Sequence, residues 1–389
     1  MKISEIDNFL EKAKTNNIYR KINSYQNISS TKSIDKFGNI YTCFSSNNYL
    51  GLSHNEETIR KVKLVLKFGL GSTGSRLVSG AGFFSEKLEN KLKDFKQKEK
   101  VLVFNTGYMT NLGTIYALCD KNDIIFSDEL NHASIIDGCK ISGAKIIIYK
   151  HLDMLDLEQK LEENKNFQGQ KFIITDAVFS MDGDIIDLPS LIKLKKNFDA
   201  FLIVDEAHSF GTIGETGKGI TEYFKLFDID VIIGTLSKAV GSLGGYVASS
   251  KKIIDFLINK SRSFIFSTSL PDFLTASSLE NIKLIEKYGK EFHEELNYKS
   301  NFMKKLLLEN DINIAKNDTP IIPIIVKDPK KALFIQEEAK KQNILLSAIR
   351  PPSVEKDKSR IRLNIIRTHS IEEIKHCGKF LVDILKKVK

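Results

Sequence analysis

AFLIVDEAHSFGTIGETGKG, residues 200–219, is a short apolar run that ends in an acid and passes into a glycine-rich turn. The run has no polar alternation, so it fits a strand covered on both faces. Six further runs of this kind surround it. KVLVFN (100–105), DIIFSD (123–128), AKIIIY (144–149) and KFIITDAVF (171–179) precede it; DVIIGT (230–235) and GGYVASS (244–250) follow. Helical stretches alternate with these runs, the pattern of a mostly parallel sheet in an α/β layer. Asn105, Asp128, Asp176, Asp205 and Thr235 stand at the ends of the runs. In open α/β sheets the ligand crevice lies at the carboxyl ends of the strands.

Outward from this centre the pattern changes. Residues 1–45 read as a polar helix and a Ser/Asn-rich arm, with a hairpin around DKFGNIYTCF (35–44). SEKLENKLKDF (85–95) puts Leu88, Leu92 and Phe95 on one helical face. Beyond about residue 280 come a long charged helix (280–309), TPIIPIIV (319–326), a helix near 330–342, IRLNII (361–366) and a final helix from Ile371. This reads as a large α/β domain over 46–280 and a smaller C-terminal α+β domain over 281–389.

Composition sets the class. With 389 residues the chain is long enough for two packed units and a sizeable core. The net charge is +9, yet the lysines are spread out, as in IRKVKLVLK (59–67), with no dense basic block and no interleaved aromatics. A solvated surface accounts for them, and no nucleic-acid partner is expected. Cys43, Cys119, Cys139 and Cys377 form no CxxC pair, so neither a zinc site nor a redox motif is supported, and free thiols suit a reducing compartment. The start, MKISEIDNFLEKAKTNN, lacks the apolar core of a signal peptide, and no stretch nears the roughly 18 apolar residues of a membrane span. A soluble, cytoplasmic protein is expected, without membrane association.

Gly69, Gly71 and Gly74 satisfy G-x-G-x-x-G. The dinucleotide reading needs an apolar strand before them. Lys61, Lys63 and Lys67 instead make the preceding segment an exposed helix, so a glycine-rich substrate loop is the better reading. No P-loop, HExxH or G-x-S-x-G pattern occurs, and the histidines lack metal-ligand spacing; no metal is expected.

Four segments carry chemistry together. In VLVFNTGYMTNLGTI (101–115) a strand ends at Asn105, and Thr106, Gly107 and Tyr108 turn into a helix whose free N–H groups would cradle a phosphate. The plain alternative is an ordinary strand–turn–helix. In FSDELNHASIIDG (126–138), His132 is placed to stack on a flat aromatic cofactor, or simply to cap a helix. Asp205 ends a very apolar strand, where a lone anion costs several kcal/mol unless paired. A protonated pyridine nitrogen would pair it and make the ring an electron sink; a structural ion pair is the alternative. His208, three residues on, is within reach of the ring's phenolic oxygen. In DVIIGTLSKAVGSLGGYV (230–247), Lys238 lies between a strand and a glycine-rich turn. Partial burial favours its neutral amine, which forms a Schiff base with an aldehyde. Thr235 and Ser237 are placed for phosphate. A surface lysine is the alternative.

With SSNNYLGL (45–52), GSRLVSG (74–80), VFSMDGDIIDL (178–188), FIFSTSLP (264–271) and RIRLNIIRTH (360–369), these segments resemble the α-oxoamine synthases over nearly the whole chain, about Tyr19 to His369. The resemblance implies a pyridoxal-phosphate-dependent transferase of fold type I. It implies pyridoxal 5'-phosphate on Lys238, Asp205 at the pyridine nitrogen, His132 on the ring and His208 with Ser180 on the ring-oxygen side. Phosphate would be bound by Gly107, Tyr108 and Thr235, with Thr268 from a second subunit of a homodimer.

GSRLVSG is most like the branch that condenses L-alanine with a pimeloyl thioester; a glycine C-acetyltransferase is the nearest alternative. Arg362 would take the amino-acid carboxylate, with Arg360 as rival and Asn48 assisting. Arg20 would meet the acyl chain's far carboxylate or the coenzyme. Two departures concern the acyl substrate. Ser85 stands where the family usually has a histidine, and AGFF (81–84) is atypical.

Overall fold

A computed structural model of the chain describes residues 3–80 and 82–388; Ala81 of the AGFF stretch lies outside them. Three short strands open the chain: β1 (Tyr25–Asn27), β2 (Lys32–Asp35) and β3 (Ile40–Cys43). Seven follow: β4 (Lys100–Phe104), β5 (Ile124–Asp128), β6 (Lys145–Tyr149), β7 (Lys171–Asp176), β8 (Ala200–Asp205), β9 (Val231–Thr235) and β10 (Gly245–Ser249). Four close it: β11 (Ile321–Lys327), β12 (Ile344–Leu345), β13 (Ser347–Ile349) and β14 (Ser359–Asn364).

The chain divides into two compact units. One comprises residues 52–180 and 184–294. Its seven strands form one sheet in the order β4-β10-β9-β8-β7-β5-β6. Only β10 runs antiparallel to its neighbours, β4 and β9. The remaining adjacent pairs are parallel. This is the α/β architecture expected of a fold type I transferase. Every residue of β5 and β9 is buried, and β7 and β8 are buried except at one position each. Each fully buried Ile, Leu or Phe contributes roughly 1.5–3 kcal/mol. Leu88, Leu92 and Phe95 are buried as the periodicity predicts, on a helix spanning Phe83–Lys96.

One edge of this sheet collects the polar strand ends. Asp176 of β7 lies opposite Asp205 of β8 in register. Gly245, the first residue of antiparallel β10, pairs with both Thr235 and Phe104. The carboxyl ends of β4, β7, β8 and β9 and the amino end of β10 therefore share one edge.

The other unit comprises residues 1–51, 181–183 and 295–389. Its strands form a sheet β1-β2-β3-β12 and a sheet β11-β14-β13. The arm expected to stand as 1–45 belongs here because β3 pairs with β12, Thr42 opposite Ile344 and Cys43 opposite Leu345. The expected hairpin is β2–β3; Asp35 Oδ1 accepts from the N–H groups of Phe37 and Asn39 at its turn. The division between units falls between Glu294 and Glu295, inside the helix Asp272–Leu308, rather than near 280. Helical periodicity is continuous there and offers the sequence no punctuation. The last helix, Ile371–Lys387, starts from a capping box of Ser370 and Glu373.

Candidate active site

A cavity of about 220 Å³ opens at the polar edge of the large sheet, lined by Gly107, Tyr108, His132, Asp176, Asp205, His208, Thr235 and Lys238 among others. A larger hollow of about 620 Å³ lies in the other unit between Asn301 and Asp318. It is lined by lysines, amides, the carboxylates of Glu309 and Asp318 and aliphatic groups, and collects none of the predicted site residues.

Lys238 follows β9 in a turn that cannot drift. Leu236 N–H donates to Gly244 O at 2.9 Å, and Gly241 N–H to Lys238 O at 3.0 Å. Gly241 has φ +71°, and a Cβ there would lie 2.4 Å from Ser53 N, so only glycine fits. Asn281 Nδ2 donates to Val240 O at 2.7 Å. Thus held, Lys238 Nζ lies 2.8 Å from Nε2 of His208.

Asp205 is 5% exposed. Its Oδ1 accepts from Ala207 N–H at 2.8 Å and its Oδ2 from Asn111 Nδ2 at 2.6 Å. The next residue, Glu206, belongs to a different environment. It is fully buried and ion-paired with Lys96, which also donates to Lys218 O at 2.7 Å. The Lys96 ammonium lies 4.3 Å from the centre of the Phe210 ring.

His132 caps the helix Ala133–Ser142, and its Nδ1 accepts from Ser134 N–H at 3.2 Å. Its own N–H donates to Asp176 Oδ2 at 2.7 Å. Burial lowers the pKa of its ring, and Lys238 adds to that effect. Burial, and then the charge of Asp205, push the Asp176 carboxyl well above the usual carboxylate range. Tyr108 meets His132 edge-on at 6.3 Å and hydrogen-bonds Asp137.

Thr106 Oγ1 caps the helix Gly107–Leu118 by accepting from Met109 N–H. The first N–H groups of a helix lack intrahelical acceptors. A Cβ on Gly107 would sit 3.2 Å from Thr235, so the helix start approaches β9 closely and a side chain there would be tight. Thr235 Oγ1 is 2.7 Å from Ser237 Oγ.

These residues fit a flat phosphate-bearing aldehyde. They supply a primary amine, a fixed buried carboxylate, a neutral ring, and a helix start closed by hydroxyls. The buried Oδ1 of Asn111 has no hydrogen-bond partner in the protein, so this amide is held by its two donated bonds.

Ser180 and Thr268 do not line the cavity. Thr268 is bridged to Ser75, and its carbonyl accepts from Asn105 Nδ2 at 2.6 Å. Arg20, Asn48 and Arg362 belong to the other unit. There Arg362 is buried and donates to Asn47 Oδ1 at 3.1 Å and to Tyr49 OH at 3.3 Å. Its rival Arg360 is ion-paired with Asp182. Arg20 is exposed and donates to Ser353 Oγ at 2.8 Å. Ser85 is buried in the first turn of the helix Phe83–Lys96, its N–H bonded to Gly82 O. Sequence reasoning did not single out Asn111 or Ser134. Asp176 was noticed only as a strand end. All three line the cavity.

Fold and site together define a pyridoxal-phosphate-dependent transferase of fold type I. The family described as aminotransferase class I and II matches residues 39–380. The chain is 44% identical over 341 residues to 8-amino-7-oxononanoate synthase 2 of Bacillus subtilis, covering 87% of each. It is 41% identical over 368 residues to 8-amino-7-oxononanoate synthase of Thermoanaerobacter pseudethanolicus, covering 94% of this chain and 92% of that one. Among solved structures, serine palmitoyltransferase from S. paucimobilis with a bound PLP–myriocin aldimine aligns with a TM-score of 0.92 at 26% identity, covering 99% and 97%. The chain belongs to the aminotransferase class I and II family and, within it, to the α-oxoamine synthases, enzymes that transfer acyl groups.

Proposed function

We propose that the protein condenses L-alanine with a pimeloyl thioester, releasing the thiol and carbon dioxide and forming 8-amino-7-oxononanoate. The acyl group would arrive on coenzyme A or an acyl carrier protein. The observation that carries this reading is the single cavity shared by Lys238, His208, Asp205 and His132. The relatives named as 8-amino-7-oxononanoate synthases support the choice of substrates.

Pyridoxal phosphate, when bound, supplies an electron sink beside the amino acid's α-carbon. Lys238 would hold it through Nζ and would serve as general base for the α-proton. His208 orients that amine from 2.8 Å and would serve the ring-oxygen side. Asp205 keeps the pyridine nitrogen protonated. His132, in the same cavity, would cover the ring. Gly107, Tyr108 and Thr235 hold the phosphate. Arg362 receives the substrate carboxylate through its planar fork, assisted by Asn48. Arg20 receives the distal carboxylate or the coenzyme.

The protein would act as a cytoplasmic homodimer, with Thr268 completing the partner's phosphate site. Leu70, Leu77, Val78, Phe83 and Phe266 are large apolar side chains that are more than half exposed in this chain. A subunit contact would cover them. No helix among the described residues is long and apolar enough to cross a membrane.

The test offers the holoprotein L-alanine with pimeloyl thioester and, separately, glycine with acetyl-CoA, while free thiol and carbon dioxide are followed. Turnover of the first pair is expected. Preference for the second would make the protein a glycine C-acetyltransferase, and transamination without thiol release would overturn the condensation altogether.

A further inference from the structure

We propose that Asn111 and Ser134 are positioning residues that fix His132 as its neutral Nε2–H tautomer and tie it to the Asp205 carboxylate. The assignment follows from which atoms can donate. The Asn111 amide nitrogen donates to Asp205 Oδ2 at 2.6 Å, and the carboxylate oxygen accepts. The second amide hydrogen goes to Ser134 Oγ at 2.9 Å. Ser134 Oγ lies 2.7 Å from His132 Nδ1 and donates to it wherever that nitrogen is an acceptor. Ser134 N–H donates to the same nitrogen at 3.2 Å. A ring nitrogen that accepts from two donors carries no proton, so the proton sits on Nε2.

The network is dry. Asn111 is 2% exposed and Ser134 is 1% exposed. The Asn111 amide leaves its own oxygen without a protein partner while both N–H groups stay engaged. Its orientation is therefore dictated by the two acceptors. The other end of His132 is fixed independently, through its main-chain N–H on Asp176. Ring and backbone are thus both held, and the ring is tied through two side chains to the acid that meets the cofactor. The tautomer follows from the chain alone. Its consequence for the cofactor rests on the proposed pyridoxal-phosphate site.

The experiment labels histidine with 15N and reads the His132 ring nitrogens in cofactor-free and holoprotein, assigning them by their loss in His132→Asn. A pyridine-type Nδ1 and a pyrrole-type Nε2 are expected in the wild type. In Asn111→Leu, and more so in Ser134→Ala, the Nδ1 resonance should move toward that of an unbonded ring nitrogen; Ser134→Thr should restore it. Release of pyridoxal phosphate from Asn111→Leu should be faster by about tenfold, from losing one bond to a charged group. A lower melting temperature with unchanged ring nitrogens and unchanged release in both Asn111→Leu and Ser134→Ala would reduce these residues to packing and overturn the proposal. A protonated Nδ1 in the wild type would do so directly. Where Asn111→Leu does not fold, the Ser134 pair decides alone. Failure of the wild type to take up pyridoxal phosphate at all would sink the cofactor reading and leave the tautomer measurement standing.

Discussion

Arg360, buried, is ion-paired with the part-exposed Asp182, while two residues further along the same strand Arg362 holds the side chains of Asn47 and Tyr49. The two arginines are spaced so that they face the same side of β14, yet their partners differ in kind. Arg360 already has a carboxylate. Arg362 donates to an amide oxygen and a phenol oxygen.

Arg362→Ala should therefore raise the KM for L-alanine by roughly a hundredfold, the scale of losing a charge-assisted bidentate contact. Arg360→Ala should lower thermal stability with a much smaller change in KM. Steady-state kinetics beside melting curves separate the two. The reverse pattern would transfer the role to Arg360.

Lys238→Ala removes the only amine among the cavity's lining residues. Borohydride treatment of the wild type should fix the cofactor on the peptide carrying Lys238, and the variant should give no such adduct. Turnover should fall on the order of 10²–10⁴-fold from lost proton transfer alone. A variant with the colour and rate of the wild type would refute the assignment.

The Lys96–Glu206 pair makes a prediction about stability. Lys96→Met leaves a fully buried carboxylate without its cation, which costs about 3–5 kcal/mol. Lys96→Met combined with Glu206→Gln should recover much of that, because no bare charge remains. Denaturant unfolding of the single and double variants checks this. Equal losses in both would mean that the charge is not the cause.

His151 supplies a pH dependence. Burial alone would lower its pKa, but hydrogen bonds to Asp128 and Asp184 outweigh it and raise it to about 9 from 6.5. A raised folded-state pKa stabilises the fold fully below the unfolded value, and that contribution is lost as pH climbs through about 9. The melting-temperature advantage of the wild type over His151→Gln should be largest near and below pH 6.5 and shrink through that window. A constant advantage across it would rule out the charged pairing.

Much of this was legible in the residues. The unbroken apolar runs marked the seven strands of the large sheet, because a strand buried on both faces has no polar positions to hide. Lys238, Asp205, His208 and His132 stood out because each follows such a run and the structure brings them to one cavity. Other features carry no local signal. Nothing in GGYVASS says that β10 runs against its neighbours. The pairing of Thr42 with Ile344 joins positions some three hundred residues apart. Asn111 and Ser134 are ordinary polar residues near helix starts, and their importance comes from a register that sets them between Asp205 and His132. The choice between Arg360 and Arg362 depends on Asp182, which belongs to a distant turn.

The neighbouring acids Asp205 and Glu206 point to opposite sides of the chain, one toward the cavity and one toward Lys96. A slip of β8 by a single residue would exchange them. The longer acid would then intrude on the cofactor's place, and the shorter one would fall short of the ammonium behind. Misalignment at this strand is thus penalised on both surfaces at once, so the same dipeptide that equips the enzyme also proofreads the threading of its central strand.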